Sequence, residues 1–560
     1  MSLSACGPGT FTDTWGNILS GKPSKDKNTA PSGILKLGEN SFFKGTRLET
    51  LDTSTVYGVS NRQQGLLALG GNPAMTGVAV QTGDLNGDGI DDLIIGAPES
   101  EGILDQTTRS GWVYVVLGKS KLAAQLDIKQ EYDIAFVGGR DTGHNRFGQA
   151  VVVADLNGDN IDDLAIGAPF GNGTGNSRMH CGMVYVLFGP LKARTIVDLS
   201  QQADLIIEGA RTGDETGFSL AAGDLNGDRK WDLIIGAPNS GGPSNRKPGS
   251  GAAYIFYGRE RFPRHVDLAQ HWDSRLYGID SQPFSLTAVG EHPDHAGFAV
   301  NAGDFNGDGL DDALIGAPFA DGYLNEKVDA GESYVIFGRR ASLKTVSLSK
   351  ADLIVYGVRP GDHSGYALAT ANLNGDALDD WIIGSPSATR PLKQGSLHGV
   401  LHGLFGRKSY PKSYNLISQA DLIFSSDNAG RCASSDETSG EWGTLGFGRS
   451  LVALDVNGDG KDEVVAGMPC SRGKRGRPFS GDVLFFFPDR KKRMVRPLWI
   501  FQPSGTAGRE WFGYALARGD VDGDGRKDLI IGAPGLERTS KTLPGGGVYV
   551  LRHLQVGVAR

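Results

Sequence analysis

Along this 560-residue chain the apolar positions come in short runs, each cut off by Gly, Asp, Asn or Pro, with no sustained helical spacing. Runs of this kind, partly alternating and rich in β-branched residues, predict β-strands. One order of runs recurs. A partly alternating stretch such as Phe147-Gly148-Gln149-Ala150-Val151-Val152-Val153 enters an acidic loop, and a run ending in Gly-Ala-Pro, such as Leu93-Ile94-Ile95-Gly96-Ala97-Pro98, leaves it. A third run has Gly-x-Val-Tyr-Val character, at Val113–Val115, Val184–Val186, Tyr334–Ile336 and Val548–Val550. A fourth has Asp-Leu-Ile character, at Leu205–Ile207, Leu353–Val355 and Leu422–Phe424. Four such strands in antiparallel order predict one blade of a propeller.

The unit occurs seven times. Its signature, DLNGDGIDDLIIGAP from Asp84, returns at Asp155, Asp224, Asp304, Asn372, Asp455 and Asp520, at intervals of 71, 69, 80, 68, 83 and 65 residues. Parallel solenoids repeat over much shorter spans, so the expected fold is all-β, a seven-bladed β-propeller of four-stranded antiparallel blades. The last repeat ends after its third strand, at Val548 to Leu551, and Thr53-Ser54-Thr55-Val56-Tyr57-Gly58 is similar to the fourth-strand run Ile354–Gly357. The N-terminal segment is therefore expected to supply the last blade's outer strand, which closes the ring and removes an exposed edge. Residues 1–32, rich in Ser, Lys, Gly and Pro, read as a flexible lead-in, and 33–560 as the propeller.

Composition narrows the class. With 83 Gly, 39% hydrophobic and 21% charged residues the chain is turn-rich and globular, and a net charge of -8 argues against nucleic acid as a partner. No apolar run approaches the ~18 residues of a membrane span, and MSLSACGPGTFTDTW lacks the pattern of a signal peptide. Four cysteines (Cys6, Cys181, Cys432, Cys470) are too few for a disulfide scaffold.

The charge is concentrated in the signature loops. Numbered from the first acidic residue, each loop offers side-chain oxygens at positions one, three, five and nine and a backbone carbonyl at position seven. The sets are Asp84, Asn86, Asp88, Ile90 and Asp92; Asp155, Asn157, Asp159, Ile161 and Asp163; Asp224, Asn226, Asp228, Lys230 and Asp232; Asp304, Asn306, Asp308, Leu310 and Asp312; Asn372, Asn374, Asp376, Leu378 and Asp380; Asp455, Asn457, Asp459, Lys461 and Glu463; and Asp520, Asp522, Asp524, Arg526 and Asp528. Alternate side chains of a tight turn converge on one point, and hard oxygen donors in this number suit Ca2+. About five to seven calcium ions are expected. Plain Asx turns are the rival reading, but unneutralised clusters of this density would be strongly repulsive. Position two is apolar in all seven loops and position four is Gly in all seven. A helical EF-hand is excluded, because position nine leads directly into a β-branched run. The loops are not equal. The fifth, with Asn372 at position one and Ala377 at position six, should be the weakest; Arg229 and Glu463 put the third and sixth in doubt; the seventh, with four Asp, should bind most tightly.

These residues resemble the FG-GAP repeat of the integrin α-subunit N-terminal propeller: Phe-Gly at Phe147, Phe447 and Phe512, Gly-Ala-Pro at Gly167, Gly236, Gly316 and Gly532, and the Asp-x-Asn/Asp-x-Asp loop between. The resemblance covers about residues 50–552. In repeats three to five the Phe is Thr216, Ala296 and Ser364, and Ser385-Pro386 and Met468-Pro469 replace two Ala-Pro pairs. The C-terminal propeller of glycosylphosphatidylinositol-specific phospholipase D is also similar, but its zinc domain has no counterpart here. The resemblance implies calcium loops on a lower face, a protein or glycan ligand on the upper face, an extracellular or cell-surface home and, for integrin-like pairing, a partner subunit. The stretches after each Gly-Ala-Pro (99–110, 170–181, 239–250, 319–330, 470–480, 535–546), with the connection 425–446, are the variable upper loops. Cys432 and Cys470 would both lie on that face, as a disulfide or as two free thiols.

The expectation is thus a binding module for ligand recognition or adhesion, not an enzyme. The alternative is the non-catalytic propeller of a phospholipase D-like hydrolase. Ten scattered His with no H-E-x-x-H spacing, and no G-x-S-x-G elbow, give catalysis little support. Calcium modules outside cells bind at about 10⁻⁴–10⁻³ M, and the sequon Asn172-Gly173-Thr174 agrees with an extracellular home. Arg518-Gly519-Asp520 spells an adhesion tripeptide, but Asp520 is the first residue of the seventh loop, so its carboxylate should face the loop and not a receptor.

Overall fold

The computed structural model describes residues 49–52, 66–69 and 75–552, the last span without 102–108, 124, 139–143, 243–247, 280–292, 342, 393–394, 427–445, 473–476, 478, 490, 503–508 and 537–544. Seven sheets are arranged in a ring. In blade 1 the strands Ala79–Gly83, Asp92–Ala97, Trp112–Val116 and Ile134–Val137 pair antiparallel in chain order. The innermost strands of the other blades are Ala150–Ala154, Leu220–Gly223, Ala299–Gly303, Ala367–Ala371, Leu451–Leu454 and Leu516–Gly519. Each packs against the next, and the seventh packs back against the first.

Two expectations are corrected. The blades have five strands, not four. The fifth is parallel and is lent by the following blade: Arg194–Asp198, between the third and fourth strands of blade 2, pairs with Ile134–Val137 of blade 1. His265–Asp267, Thr345–Ser347 and Ser413–Asn415 do the same for blades 2, 3 and 4. These outer segments are three to five residues long and partly polar, so no hydrophobic run announced them. The second correction concerns closure. The N-terminal segment does complete the last blade, but through Leu66–Leu69, antiparallel to Gly547–Leu551. Thr53–Gly58 lies outside the described residues. Glu49–Asp52 adds the parallel fifth strand of blade 6, and Gln125–Asp127 that of blade 7.

The core lies between blades. Ile94, Val113 and Val115 of blade 1 meet Val151, Ile166 and Tyr185 of blade 2, and six further clusters repeat this around the ring. Each large apolar side chain buried this way contributes about 1.5–3 kcal/mol, so a blade on its own would expose both faces of its sheet.

The glycines of the repeat explain how the blades approach so closely. The Gly148 N–H donates to the Gly167 carbonyl of its own blade at 3.0 Å. Gly167 in turn lies under the next blade: a Cβ there would sit 2.1 Å from the Gly217 carbonyl oxygen. Within each blade the pair is thus a hydrogen bond, and between blades it is a contact that admits no side chain. Phe147, Phe447 and Phe512, each preceding such a glycine, are fully buried wedges.

Candidate metal centres

Each acidic loop joins the innermost strand to the second strand, at the end of the ring opposite the 99–110 type connections. Position two anchors it: Leu85, Leu156, Leu225, Phe305, Leu373, Val456 and Val521 are all buried. Position four is left-handed in every loop, with φ between 70° and 81°, a conformation that favours glycine. In loop 1 the Asp84 carboxylate accepts three backbone N–H groups, from Gly87 at 2.7 Å and Asp88 at 3.0 Å on Oδ1 and from Gly89 at 2.8 Å on Oδ2. Asn86 Oδ1 accepts from Asp88 N and Asp88 Oδ1 from Ile90 N. Asp92, fully buried, accepts from Leu85 N at 3.0 Å and from Gly118 N at 2.9 Å. The Asn86 amide nitrogen lies 3.1 Å from Asp88 Oδ2 and 3.5 Å from Asp92 Oδ1, which brings positions three, five and nine together.

Loops 2, 3 and 4 repeat the position-one pattern through Asp155, Asp224 and Asp304. Arg229 at position six of loop 3 takes φ 68° and keeps the hydrogen bond to Asp224, so the substitution does not disturb the loop. Loop 6 is also retained, the longer Glu463 reaching Val456 N at 2.9 Å and the Asn457 amide at 2.7 Å. Loop 5 departs most. Asn372 accepts from Gly375 N, but its amide nitrogen cannot accept a position-six N–H and instead donates to the Gly460 carbonyl of the neighbouring loop.

Burial makes position nine an unusual carboxylate. It pushes Asp92, Asp163 and Asp232 up to about 7 and Asp312 and Glu463 up to about 8, against the backbone N–H groups that lower them; nearby loop carboxylates such as Asp88 add to the rise. In loop 7, carboxylate oxygens of Asp520, Asp522 and Asp528 all lie within 4.8 Å of one another. Asp528 Oδ1 is buried without a hydrogen-bond partner, and burial followed by the Asp522 charge raises Asp528 to about 7. Hard oxygens, an orphaned buried one among them, fit a divalent cation of calcium type. The Arg552 guanidinium stands 3.8 Å from Asp522 Oδ2.

Position eight escaped the sequence reading. Asp162 Oδ2 accepts the Asp84 N–H of the preceding loop at 2.9 Å, and Asp311, Asp379, Asp462 and Asp91 do the same for Asp224, Asp304, Asn372 and Asp520. The acidic loops are thereby stitched to each other. The signal was present, since position eight is acidic in five of the seven repeats, with Trp231 and Lys527 as exceptions. The Arg518-Gly519-Asp520 tripeptide is built into this belt: Arg518 donates to Ala453 O and lies 3.5 Å from Asp462, and Asp520 accepts from Asp524 and Gly525 N. Cys470 is disulfide-bonded, with Cys432 outside the described residues, and Cys181 is a buried free thiol.

Seven five-stranded blades, each with an acidic loop at the same end, define the class: a ring-closed β-propeller with repeated acidic turns. The FG-GAP repeat model matches residues 76–116, 147–178, 216–256, 296–336, 447–477 and 512–551. The chain thus carries six FG-GAP repeats on its seven-bladed ring. The one blade without a match is the fifth, whose loop departs most. Among curated proteins the chain is 28% identical over 442 residues to phosphatidylinositol-glycan-specific phospholipase D of Bos taurus, covering 74% of this chain and 47% of that protein. It is 28% identical to the human form, over 70% of this chain and 43% of that protein. Integrin alpha-PS2 of Drosophila melanogaster is 29% identical over 57% of this chain and 21% of its own length. The chain thus spans less than half of these relatives. The Dos1 propeller aligns over 88% of this chain with 11% identity and a TM-score of 0.38, too slight a likeness to bear on function.

Proposed function

We propose that this chain is a calcium-stapled, non-catalytic binding propeller that recognises a protein or glycan ligand through the loops of the face opposite its acidic turns. The observation that carries the reading is loop 7, where three carboxylates converge and Asp528 keeps an orphaned buried oxygen. Calcium would be held by the oxygens of positions one, three, five and nine and the position-seven carbonyl, supplying the positive charge that the buried position-nine acids lack. Three observations support an extracellular or cell-surface setting, namely the bonded Cys470 and the similarity to an integrin α chain and to a phospholipase, and the weak affinity usual for extracellular calcium modules agrees with it. Among the described residues no helix is long and apolar enough to cross a membrane. An integrin-like role would add a partner subunit.

The test is thermal unfolding of the purified chain in millimolar calcium and in excess chelator, with a metal count by mass spectrometry. About five to seven ions and a large calcium-dependent rise in Tm are expected; no ions and no rise would overturn the metal reading. Recognition is tested by screening the calcium-loaded chain on arrays of extracellular proteins and glycans, with loop 319–330 replaced by Gly-Ser as the control that should lose binding.

A second reading is favoured by the longer alignment to the phospholipases: the chain is the propeller part of such a hydrolase. In either case the chain alone should release no phosphatidylinositol-glycan-anchored protein, and measurable release would sink the non-catalytic reading.

A further inference from the structure

At the end of the ring opposite the acidic loops lies a cavity of about 190 Å³. Every blade contributes to it the residue that follows a left-handed glycine at the head of its innermost strand, such as Tyr366 after Gly365 and Arg449 after Gly448. One side chain from each of seven blades places the cavity on the ring axis.

Five consecutive blades give it a continuous wall of Phe218, Phe298, Tyr366, Arg449 and Tyr514. The Phe298 ring centroid lies 4.9 Å from Phe218 and 4.7 Å from Tyr366. The Arg449 guanidinium stacks 3.6 Å from the Tyr514 centroid and lies 6.0 Å from that of Tyr366. Arg449 is half-buried, and its open side faces the cavity. Its partners are these two tyrosines, and among the described residues no carboxylate pairs with it. The cavity's carboxylate is Glu99, which is already matched by Arg146 at 3.2 Å and Arg109 at 3.6 Å. Among the described residues that line the cavity, two guanidiniums, of Arg146 and Arg449, face the one carboxylate of Glu99, so one is in excess, lodged among rings, where an uncompensated charge is costly.

We propose that the axial cavity binds a carboxylate carried on an aromatic or apolar stem, with Arg449 as the counter-charge and the Phe298 and Tyr366 rings as walls. The proposal deepens the binding-module reading, on which it rests, and is independent of the calcium reading. A single carboxylate balances the single excess charge, whereas a doubly charged phosphate would leave a surplus beside Glu99. A cation would meet the Arg449 guanidinium unshielded. A cavity of about 150 Å³ accommodates benzene, so this one has room for one aromatic acid or one acidic side chain.

The experiment is calorimetric titration of the calcium-loaded chain with phenylacetate, phenylacetamide and benzylamine, and with a capped Phe-Glu dipeptide. Phenylacetate should saturate, with the amide and the amine at least about tenfold weaker, as expected for loss of a charge-assisted contact. Arg449→Met should weaken phenylacetate by about tenfold to a hundredfold, and Arg449→Lys, which keeps the charge, by less. Dipeptide binding tighter than phenylacetate would assign the carboxylate to a protein's acidic side chain; weaker binding would assign it to a free small acid. No saturation by any probe, an amine that binds as well as the acid, or an acid affinity unmoved in a folded Arg449→Met variant would overturn the proposal. Such a failure with array capture intact would leave the loop-face reading standing, and loss of array capture with phenylacetate still bound would do the reverse.

Discussion

The two ends of the ring use the same sevenfold backbone in opposite ways. At the acidic end the blades are near-copies: position four is glycine seven times, and position nine is a buried carboxylate seven times. At the cavity end one equivalent position carries Val78, Gln149, Phe218, Phe298, Tyr366, Arg449 and Tyr514. The acidic loops work side by side, each needing the full donor set, so the residues repeat. The cavity residues meet at one axis, so seven identical side chains would either clash or leave it featureless. On the proposed readings, repetition there serves stability and difference here serves selectivity.

This contrast can be broken from the acidic end first. Chelation should have the largest effect, because each calcium site held at one hundred times its Kd stabilises the fold by about 2.7 kcal/mol; the melting temperature should collapse while phenylacetate affinity of the still-folded fraction stays constant. Next comes Gly167→Ala, which drives a methyl group against the Gly217 carbonyl and should cost about 3 kcal/mol or more in urea unfolding. Gly309→Ala, with open space around its φ of 84°, should cost about 1–2 kcal/mol. Asp528→Asn should remove one ion from the metal count and lower Tm, whereas Asp376→Asn in the fifth loop should change both by less than half as much.

A pH series sharpens the same comparison. Without metal, burial holds six of the folded position-nine acids, Asp92, Asp163, Asp232, Asp312, Glu463 and Asp528, at about 7 to 8, above the ~4 of an unfolded carboxylate, so the folded chain holds the extra protons. Stability of the chelated protein should therefore fall as pH rises from about 4 to about 8, and calcium, which takes the ionised form, should reverse that slope in melting curves at pH 5.5 and 8. The smallest effect belongs to the cavity end. Gln149→Ala should leave the unfolding free energy within about 0.5 kcal/mol of wild type, as for a side chain outside the interblade core.

The blade count, the second and third strands and all seven loops were legible because each rests on local chemistry: a period-two run, a glycine, a cluster of Asp. What escaped depends on partners far away in sequence. The fifth strands, such as His265–Asp267, are strands only because Leu205–Glu208 of another blade presents an edge. The closing strand Leu66–Leu69 was missed for Thr53–Gly58, since both precede the first blade and pairing, not composition, chooses between them. Position eight was overlooked because Asp91 and Asp162 do nothing for their own loops and act on the preceding one. Arg449 was invisible as a site residue, being one arginine until six other blades surround it.

The borrowed outer strand carries a last consequence, for how such a protein could be taken apart or rebuilt. A repeat excised at its sequence boundaries leaves with the strip its predecessor relied on, and without the strip its successor would have lent. A single unit cut free would thus be frayed on both sides, and a stable rearrangement must keep every blade followed by one that lends it a strand.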